Sequence, residues 1–391
     1  MYPHQTERLD GALARAGADA LVATSAANVA YLTGFHSVTR QLYPETQVFA
    51  VYAAGRTALV VPAVDAPAAA AAGDLTAAEI ACYGALHADL APGADATAKR
   101  AAELLAGAAE SPARAVAGVL RRVGAGPIVG LDDETLPAAA ARAIAEQLGT
   151  AHALRPASQA LAQARAVKGP YEIDCLQQAL RIAEEAIHEL LGELKAGTTG
   201  REAAMIYEDA LGRRAARPWR TTIAFGPSAA LPAAPPADGA LRIGELVRID
   251  VGCVFKGYYA DVARTAVLGE PTPRQQQRYD AVDAGIDAAL AALRPGAPAG
   301  TAVEASLAAL RTAGLPSSHQ AVLGHGIGLE PAEAPWLTAG TPALESGTVL
   351  CLESAHYELG AGAVHVKETV LLTVGGAVAM NRSNRGLVVL D

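Results

Sequence analysis

The chain has 391 residues, 51% of them hydrophobic, with 31 Lys and Arg against 40 Asp and Glu and a formal net charge of −9. That length exceeds what one core fills, so two domains are expected, and the acidic balance argues against nucleic acid as a partner. Cys82, Cys175, Cys253 and Cys351 lie far apart with no CxxC pair, the N-terminus lacks a basic-then-apolar leader, and the most apolar runs are short alanine tracts; together these predict a cytoplasmic protein with no membrane segment.

The first part of the chain alternates helical and strand-like stretches. A helix is expected over 6–16, a strand over 20–22, and a strand pair over 48–52 and 57–61 around Ala53-Ala54-Gly55-Arg56. Alanine-rich helices follow over 94–108 and 136–148, with a buried strand over 127–131 between them. The pattern changes around 160–169, and Pro170 sits where a long amphipathic helix begins. This predicts an α/β domain over 1–163 and a second domain over 164–391. In the second, a helix over 201–215 leads into a proline-rich stretch over 226–239. Strands over 246–251 and 258–267, joined by a turn containing Gly257, read as an antiparallel hairpin. Two helices over 273–293 and 302–313 precede strands over 348–353 and 364–373.

Several polar residues stand where apolar ones would be expected. In Arg248-Ile249-Asp250-Val251-Gly252, alternation puts Arg248 and Asp250 on one face of a strand, and a carboxylate on a buried face needs a partner. Asp261 follows eleven residues later on the returning strand, so the hairpin can bring the two acids together, which demands a cation or a shared proton. Asp261 could instead cap a turn or pair with Arg264. His325 lies in Gly324-His325-Gly326, where glycines permit close approach of the backbone. Glu353 ends an apolar strand, as ligand or as strand-end salt bridge.

Asp250, Asp261, His325 and Glu353 in these settings resemble the pita-bread family that includes methionine aminopeptidase, Xaa-Pro aminopeptidase, prolidase and creatinase. Tyr31-Leu32-Thr33-Gly34-Phe35 resembles the N-terminal signature of the prolidase and creatinase branch, and Val167-Lys168 with Glu172-Ile173 resembles the opening of the catalytic domain. The resemblance implies a creatinase-like N-terminal α/β domain followed by a pita-bread catalytic domain, and a homodimer. In metal-dependent members two aspartates, a histidine and two glutamates hold a pair of divalent ions. It implies Asp250, Asp261, His325 and Glu353 as metal ligands here.

The fifth ligand departs from the pattern. The family places a glutamate two residues before a threonine, and in Val366-Lys367-Glu368-Thr369 that position is Lys367. Glu368 is one residue out of register and would face the cleft only if the strand carried a bulge. The two helper histidines of the family are also absent, their positions read here as Ala233 and Ala332. Three carboxylates and one ammonium leave a double negative charge, enough for one divalent ion (Mn, Zn, Co or Fe), or the lysine stands in a metal-free ion network. Lys367, His325 and His365 are the candidate catalytic residues. His36, Arg40, His356 and Tyr357 are candidate substrate contacts, the first two because that region reaches the neighbouring active site in creatinase-like dimers. Cys351 shares the face of Glu353 and reads as a small core residue.

The resulting expectation is a divergent creatinase- or prolidase-like enzyme that hydrolyses a C–N bond in a small amino-acid-derived or dipeptide-like substrate with at most one metal. The alternatives are a two-metal Xaa-Pro peptidase using Glu368, a non-hydrolytic elimination or cyclisation enzyme, and a non-catalytic binding protein of the same fold.

Overall fold

The computed structural model describes residues 3–72, 79–317 and 322–391. The chain divides into two compact units, Met1–Arg165 and Ala166–Asp391. In the first, six strands, β1 (Ala20–Ala23), β2 (Phe49–Ala53), β3 (Arg56–Pro62), β4 (Ile80–Tyr83), β5 (Ile128–Leu131) and β6 (Ala153–Pro156), form one sheet in the order β4-β3-β2-β1-β5-β6. β1, β2 and β3 pair antiparallel and the remaining pairs are parallel. The central strands are buried on both faces, which explains their continuous apolar character. The helix Pro112–Arg122, absent from the sequence expectation, packs its Val116, Val119 and Leu120 into that core.

The second unit is built on two sheets. One has four strands, β7 (Arg217–Phe225), β8 (Leu246–Phe255), β9 (Tyr258–Leu268) and β15 (Val388–Leu390), ordered β15-β9-β8-β7. The other has five, β10 (Gly324–Gly326), β11 (Glu333–Leu337), β12 (Val349–Glu358), β13 (Gly362–Thr373) and β14 (Gly376–Ala379), ordered β11-β10-β12-β13-β14. β13 lies against β9, where Thr265 Oγ1 donates to the His365 carbonyl at 3.0 Å and Arg264 Nη1 donates to the Lys367 carbonyl at 2.7 Å. Helices cover the outer faces. Pro170–Glu193 begins with Pro at its first turn and Glu172 accepting from Gly169 N at 2.9 Å. Pro273–Ala292 is opened by a capping box between Thr272 and Gln275. Among the described residues, no helix is long and apolar enough to cross a membrane.

Strands β4, β6, β7, β10, β11, β14 and β15 have no counterpart in the sequence expectation. β7 carries the β-type run Thr221-Thr222-Ile223-Ala224-Phe225, a signal masked by Pro218 and by the surrounding proline-rich stretch.

Candidate active site

The β8–β9 hairpin turns through Lys256 and Gly257, both at positive φ (50° and 82°), as a two-residue connection matching strand twist requires. Asp250 then pairs with Ala263, and Asp261 with Gly252. The two aspartates are diagonal neighbours on one face. Gly252 has no substitute, because any Cβ there would collide with the Trp219 indole, which crosses it to donate from Nε1 to the Ala260 carbonyl at 2.8 Å.

The β12–β13 ladder runs without interruption from Val349↔Leu371 to Glu358↔Gly362 and sets Glu353 directly opposite Lys367. With no bulge in this ladder, Glu368 faces away. It shares its face with Val364, Val366, Val370 and Leu372, which belong to the helix-covered core, and approaches Arg264 at 3.7 Å and Arg385 at 3.9 Å. The ladder carries no bulge, so the condition under which Glu368 would face the cleft is not met.

Lys367 Nζ sits at the centre of the acids. It donates to Asp250 Oδ1 at 3.0 Å and to Asp261 Oδ1 and Oδ2 at 2.9 and 3.0 Å, with Glu353 Oε2 at 3.8 Å. Burial would lower its pKa, but Asp261, Asp250 and Glu353 raise it above the usual lysine range, so the ammonium is permanent. Burial pushes Asp261 up, only partly opposed by Lys367 and reinforced by the charge of Asp250. For Asp250 the burial effect is overcome by Lys367, His365 and Arg220, and its pKa falls. Glu353 is likewise held well below the usual carboxylate range, its burial outweighed by the His365 hydrogen bond and Lys367.

His365, fully buried, spans two of the acids, with Nε2 3.1 Å from Glu353 Oε1 and Nδ1 3.8 Å from Asp250 Oδ2. The Tyr357 ring lies 6.1 Å from it, on the same face of β12 as Glu353. His325 Nδ1 is 3.0 Å from the Gly326 carbonyl, an acceptor only, so Nδ1 carries the proton and Nε2 faces Asp261 Oδ2 at 3.7 Å. Its flanking glycines have a steric reason: a Cβ at Gly324 would strike the Cys351 carbonyl, and one at Gly326 the Ala334 carbonyl. Cys351 Sγ donates to the Asp261 carbonyl at 3.7 Å, and burial raises the thiol well above its usual pKa.

His356, expected beside Tyr357 in the pocket wall, follows the alternation to the opposite face. It lines a cavity of about 840 Å³ with Arg274 and Arg278, which hold Glu358, and Tyr357 borders the same cavity. His36 and Arg40 lie in the first unit, lining a cavity of about 330 Å³, with Arg40 Nη1 donating to the Thr24 carbonyl at 2.5 Å.

Two arginines complete the cluster. Arg248, fully buried, donates from Nε to the Ala229 carbonyl at 2.8 Å and from Nη2 to the Leu231 carbonyl at 2.7 Å, and it reaches Pro232 O at 3.3 Å and Asp250 Oδ2 at 3.4 Å. It thereby binds the loop before Ala233 to the floor of the cleft. Arg220 Nη2 donates to Asp250 Oδ2, and its guanidinium lies over the Trp219 ring at 5.8 Å. Sequence reasoning passed over Arg220 because β7 itself was missed. Its presence changes the charge account: three carboxylates face three fixed cations, and the double negative charge expected from Lys367 alone does not arise.

Arg248→Met should lower unfolding free energy by about 3–5 kcal/mol in urea titrations, since three carbonyls and a carboxylate lose a buried donor together. On the far face, burial lifts Glu368 to about 7 from 4.5, despite Arg264 and Arg385, with Glu184 and Asp283 adding to the rise. Between those values the folded chain holds a proton that the unfolded chain has released. Its stabilising contribution is complete below 4.5 and is lost as pH climbs through about 7. Glu368→Gln should flatten that fall, adding roughly 1–3 kcal/mol at pH 8 relative to the unmodified chain.

Residues 174–374 match metallopeptidase family M24, and residues 5–167 match the creatinase/prolidase N-terminal domain. The chain belongs to metallopeptidase family M24. This M24 protein is 31% identical to the probable dipeptidase PepE of Mycobacterium tuberculosis, over 68% of its own length and 72% of that protein's. It is 30% identical to the Xaa-Pro dipeptidase of Pyrococcus furiosus over 57% of its own length, and spans 65% of the length of that relative. In structure it superposes on the Xaa-Pro dipeptidase of Bacillus anthracis with a TM-score of 0.81 at 22% identity, covering 99% of each chain. It also matches the N-terminal domain of the FACT complex subunit SPT16 of Cicer arietinum, with a TM-score of 0.70 at 16% identity over 99% of each chain. At such identities these likenesses establish the fold, which hosts more than one role.

A metallopeptidase family implies divalent ions, and Asp261, His325 and Cys351 offer donor atoms within 4.8 Å of one another. The donor set is a poor match to that chemistry. Both oxygens of Asp261 are engaged by Lys367, Asp250 is divided between Lys367 and two arginines, and Cys351 is a protonated thiol.

Proposed function

We propose that this M24 protein hydrolyses a C–N bond in a small, amino-acid-derived, dipeptide-like substrate without a divalent ion, Lys367 supplying the positive charge at the centre of the cleft. The observation that carries this reading is the ammonium within 3.0 Å of three carboxylate oxygens. With its three N–H bonds directed at Asp250 and Asp261, Lys367 organises the acids and neutralises them, and it is neither a nucleophile nor a Schiff-base former. Glu353, held ionised, is too weak a base to deprotonate water efficiently.

The group suited to that task is His325. Its Nε2 lone pair takes a proton from water as the water oxygen attacks the substrate's carbonyl-type carbon, and Asp261 at 3.7 Å stabilises the imidazolium that forms. When the C–N bond breaks, the same proton passes to the departing nitrogen, so acid, amine and neutral His325 are recovered. Removal of the two helper histidines, replaced by Ala233 and Ala332, is consistent with a site whose proton transfers converge on one imidazole.

Elemental analysis of protein purified without chelator, combined with glycyl-L-proline turnover before and after dialysis against EDTA, tests the reading. Less than one divalent ion per chain and unchanged turnover are expected. A second reading, a metal-dependent Xaa-Pro dipeptidase, is favoured by the likeness to the Pyrococcus furiosus enzyme. Two tightly held ions, with activity lost on chelation, would establish it instead.

A further inference from the structure

The cavity of about 840 Å³ in the second unit shares no lining residue with the ion cluster around Lys367. The first turns of helix Pro273–Ala292 bring Arg274 and Arg278 to it, β12 brings His356, and Leu310, Leu315 and Pro316 supply apolar wall. Such a volume suits a small organic ligand. None of the described lining residues is acidic.

Positive charge is in excess here. Arg274 and Arg278 stand one helical turn apart, where like charges repel. Glu358 takes one nitrogen from each: Arg274 Nη2 donates to its Oε1 at 2.5 Å, and Arg278 Nη1 pairs with its Oε2. It is the one carboxylate among the described residues in ion-pair contact with either. Two guanidiniums against one carboxylate leave a single positive charge, and each fork keeps donors that Glu358 does not take. The other groups feel that field. Burial, Arg278 and Arg274 all lower the pKa of His356, which keeps its ring neutral at neutral pH, and burial and Arg274 lower that of Arg278. Glu358 thus orients the pair without balancing it. The Arg274 side chain is 68% exposed and reachable from solvent, while Arg278, at 15%, lies deeper.

We infer that this cavity is a second ligand site, separate from the catalytic cluster, which takes a small monocarboxylate with an apolar body. The carboxylate joins Arg274 and Arg278 beside His356, and the body rests on Leu310, Leu315 and Pro316. One negative charge matches the one surplus positive charge, and a carboxylate is the planar acceptor that a guanidinium fork fits. Burial of the apolar body against the wall adds the hydrophobic contribution. A neutral molecule of the same shape forgoes the charge-assisted bonds, and a cation meets repulsion, so the site discriminates by charge. Lys367, His325, Asp261 and Glu353 take no part in it, and the inference stands or falls apart from the hydrolytic reading.

Calorimetric titration of the full chain with phenylacetate, 2-phenylethanol and 2-phenylethylamine tests the site. Phenylacetate should bind, and the alcohol and the amine should each bind more weakly by about tenfold or more. Arg274→Gln, a change at a mostly exposed side chain, and Arg278→Gln should each raise the Kd of phenylacetate about tenfold. Glu358→Gln should act in the opposite direction and lower that Kd severalfold, because both guanidiniums are then released to the ligand. A variant that had merely lost its fold would not bind more tightly. Equal affinity for the acid and the alcohol, no binding of phenylacetate, an unchanged Kd in either arginine variant, or a Glu358→Gln variant that binds no more tightly than the unmodified chain would overturn the assignment.

Discussion

Lys367→Met should destabilise the protein by about 3–5 kcal/mol at neutral pH, because it removes the ammonium from between Asp250 and Asp261 and leaves two buried carboxylates in repulsion. Urea unfolding checks it. The loss should shrink below pH 4, as protonation relieves the pair. Lys367→Glu carries the argument further: four carboxylates would then face only Arg220 and Arg248, a double negative charge that a single divalent ion neutralises. This variant should be less stable than Lys367→Met in chelator and should gain thermal stability as manganese is added, with one ion bound per chain. The unmodified protein should show no such shift. Two ions bound by Lys367→Glu would mean that the arginines do not count in the electrostatics of the cleft. A metal-dependent shift in the unmodified chain would mean that the ammonium yields its place.

His325→Gln should reduce kcat for dipeptide hydrolysis by about 10²- to 10⁴-fold, the range expected for removal of a general base. KM should change little and unfolding free energy by no more than about 1–2 kcal/mol, because Gln can still donate to the Gly326 carbonyl and the ring's other contacts are Trp336 at 5.9 Å and Asp261 at 3.7 Å. Stopped assays across a range of substrate concentrations separate the two parameters. A loss of less than tenfold in kcat would move the base elsewhere, with His365 the next histidine in the cluster. That residue is the harder one to use: its ring is fully buried between Glu353 and Asp250, whereas His325 retains some access to solvent.

Much of this molecule is legible in order of residues alone. Hydrophobic alternation located the β8–β9 hairpin, and with it the face shared by Asp250 and Asp261, because a strand has a period of two and a tight turn preserves register. The family resemblance put Lys367 at the ligand position and alternation turned Glu368 to the opposite face; in the ladder Lys367 stands opposite Glu353. Read in sequence as room for a ligand, the glycines around His325 instead make room for the Cys351 and Ala334 carbonyls. The departures at Ala233, Ala332 and Lys367 were likewise visible as residue types.

What remained hidden was the company these residues keep. Arg220 is separated from Asp250 by thirty positions and a proline-rich stretch, and nothing local announces that β7 pairs with β8 and lays a guanidinium on the aspartate. Arg248 was legible as a neighbour of Asp250, but its role in tying down the Ala229, Leu231 and Pro232 carbonyls depends on where that loop folds back. His356 and Tyr357, adjacent in sequence, alternate in the ladder, the Tyr357 ring turning to His365 and the His356 ring toward Arg274 and Arg278, although both residues border the same cavity. By periodicity and spacing the sequence by itself determined the faces of the strands and the approach of Asp250 to Asp261, while the fold and the company of His325 and Glu353 came from the resemblance to a family. Only the tertiary structure decided the net charge of that cleft, because charge balance is a sum over long-range neighbours. By bringing in two arginines, it set three fixed cations against the three carboxylates.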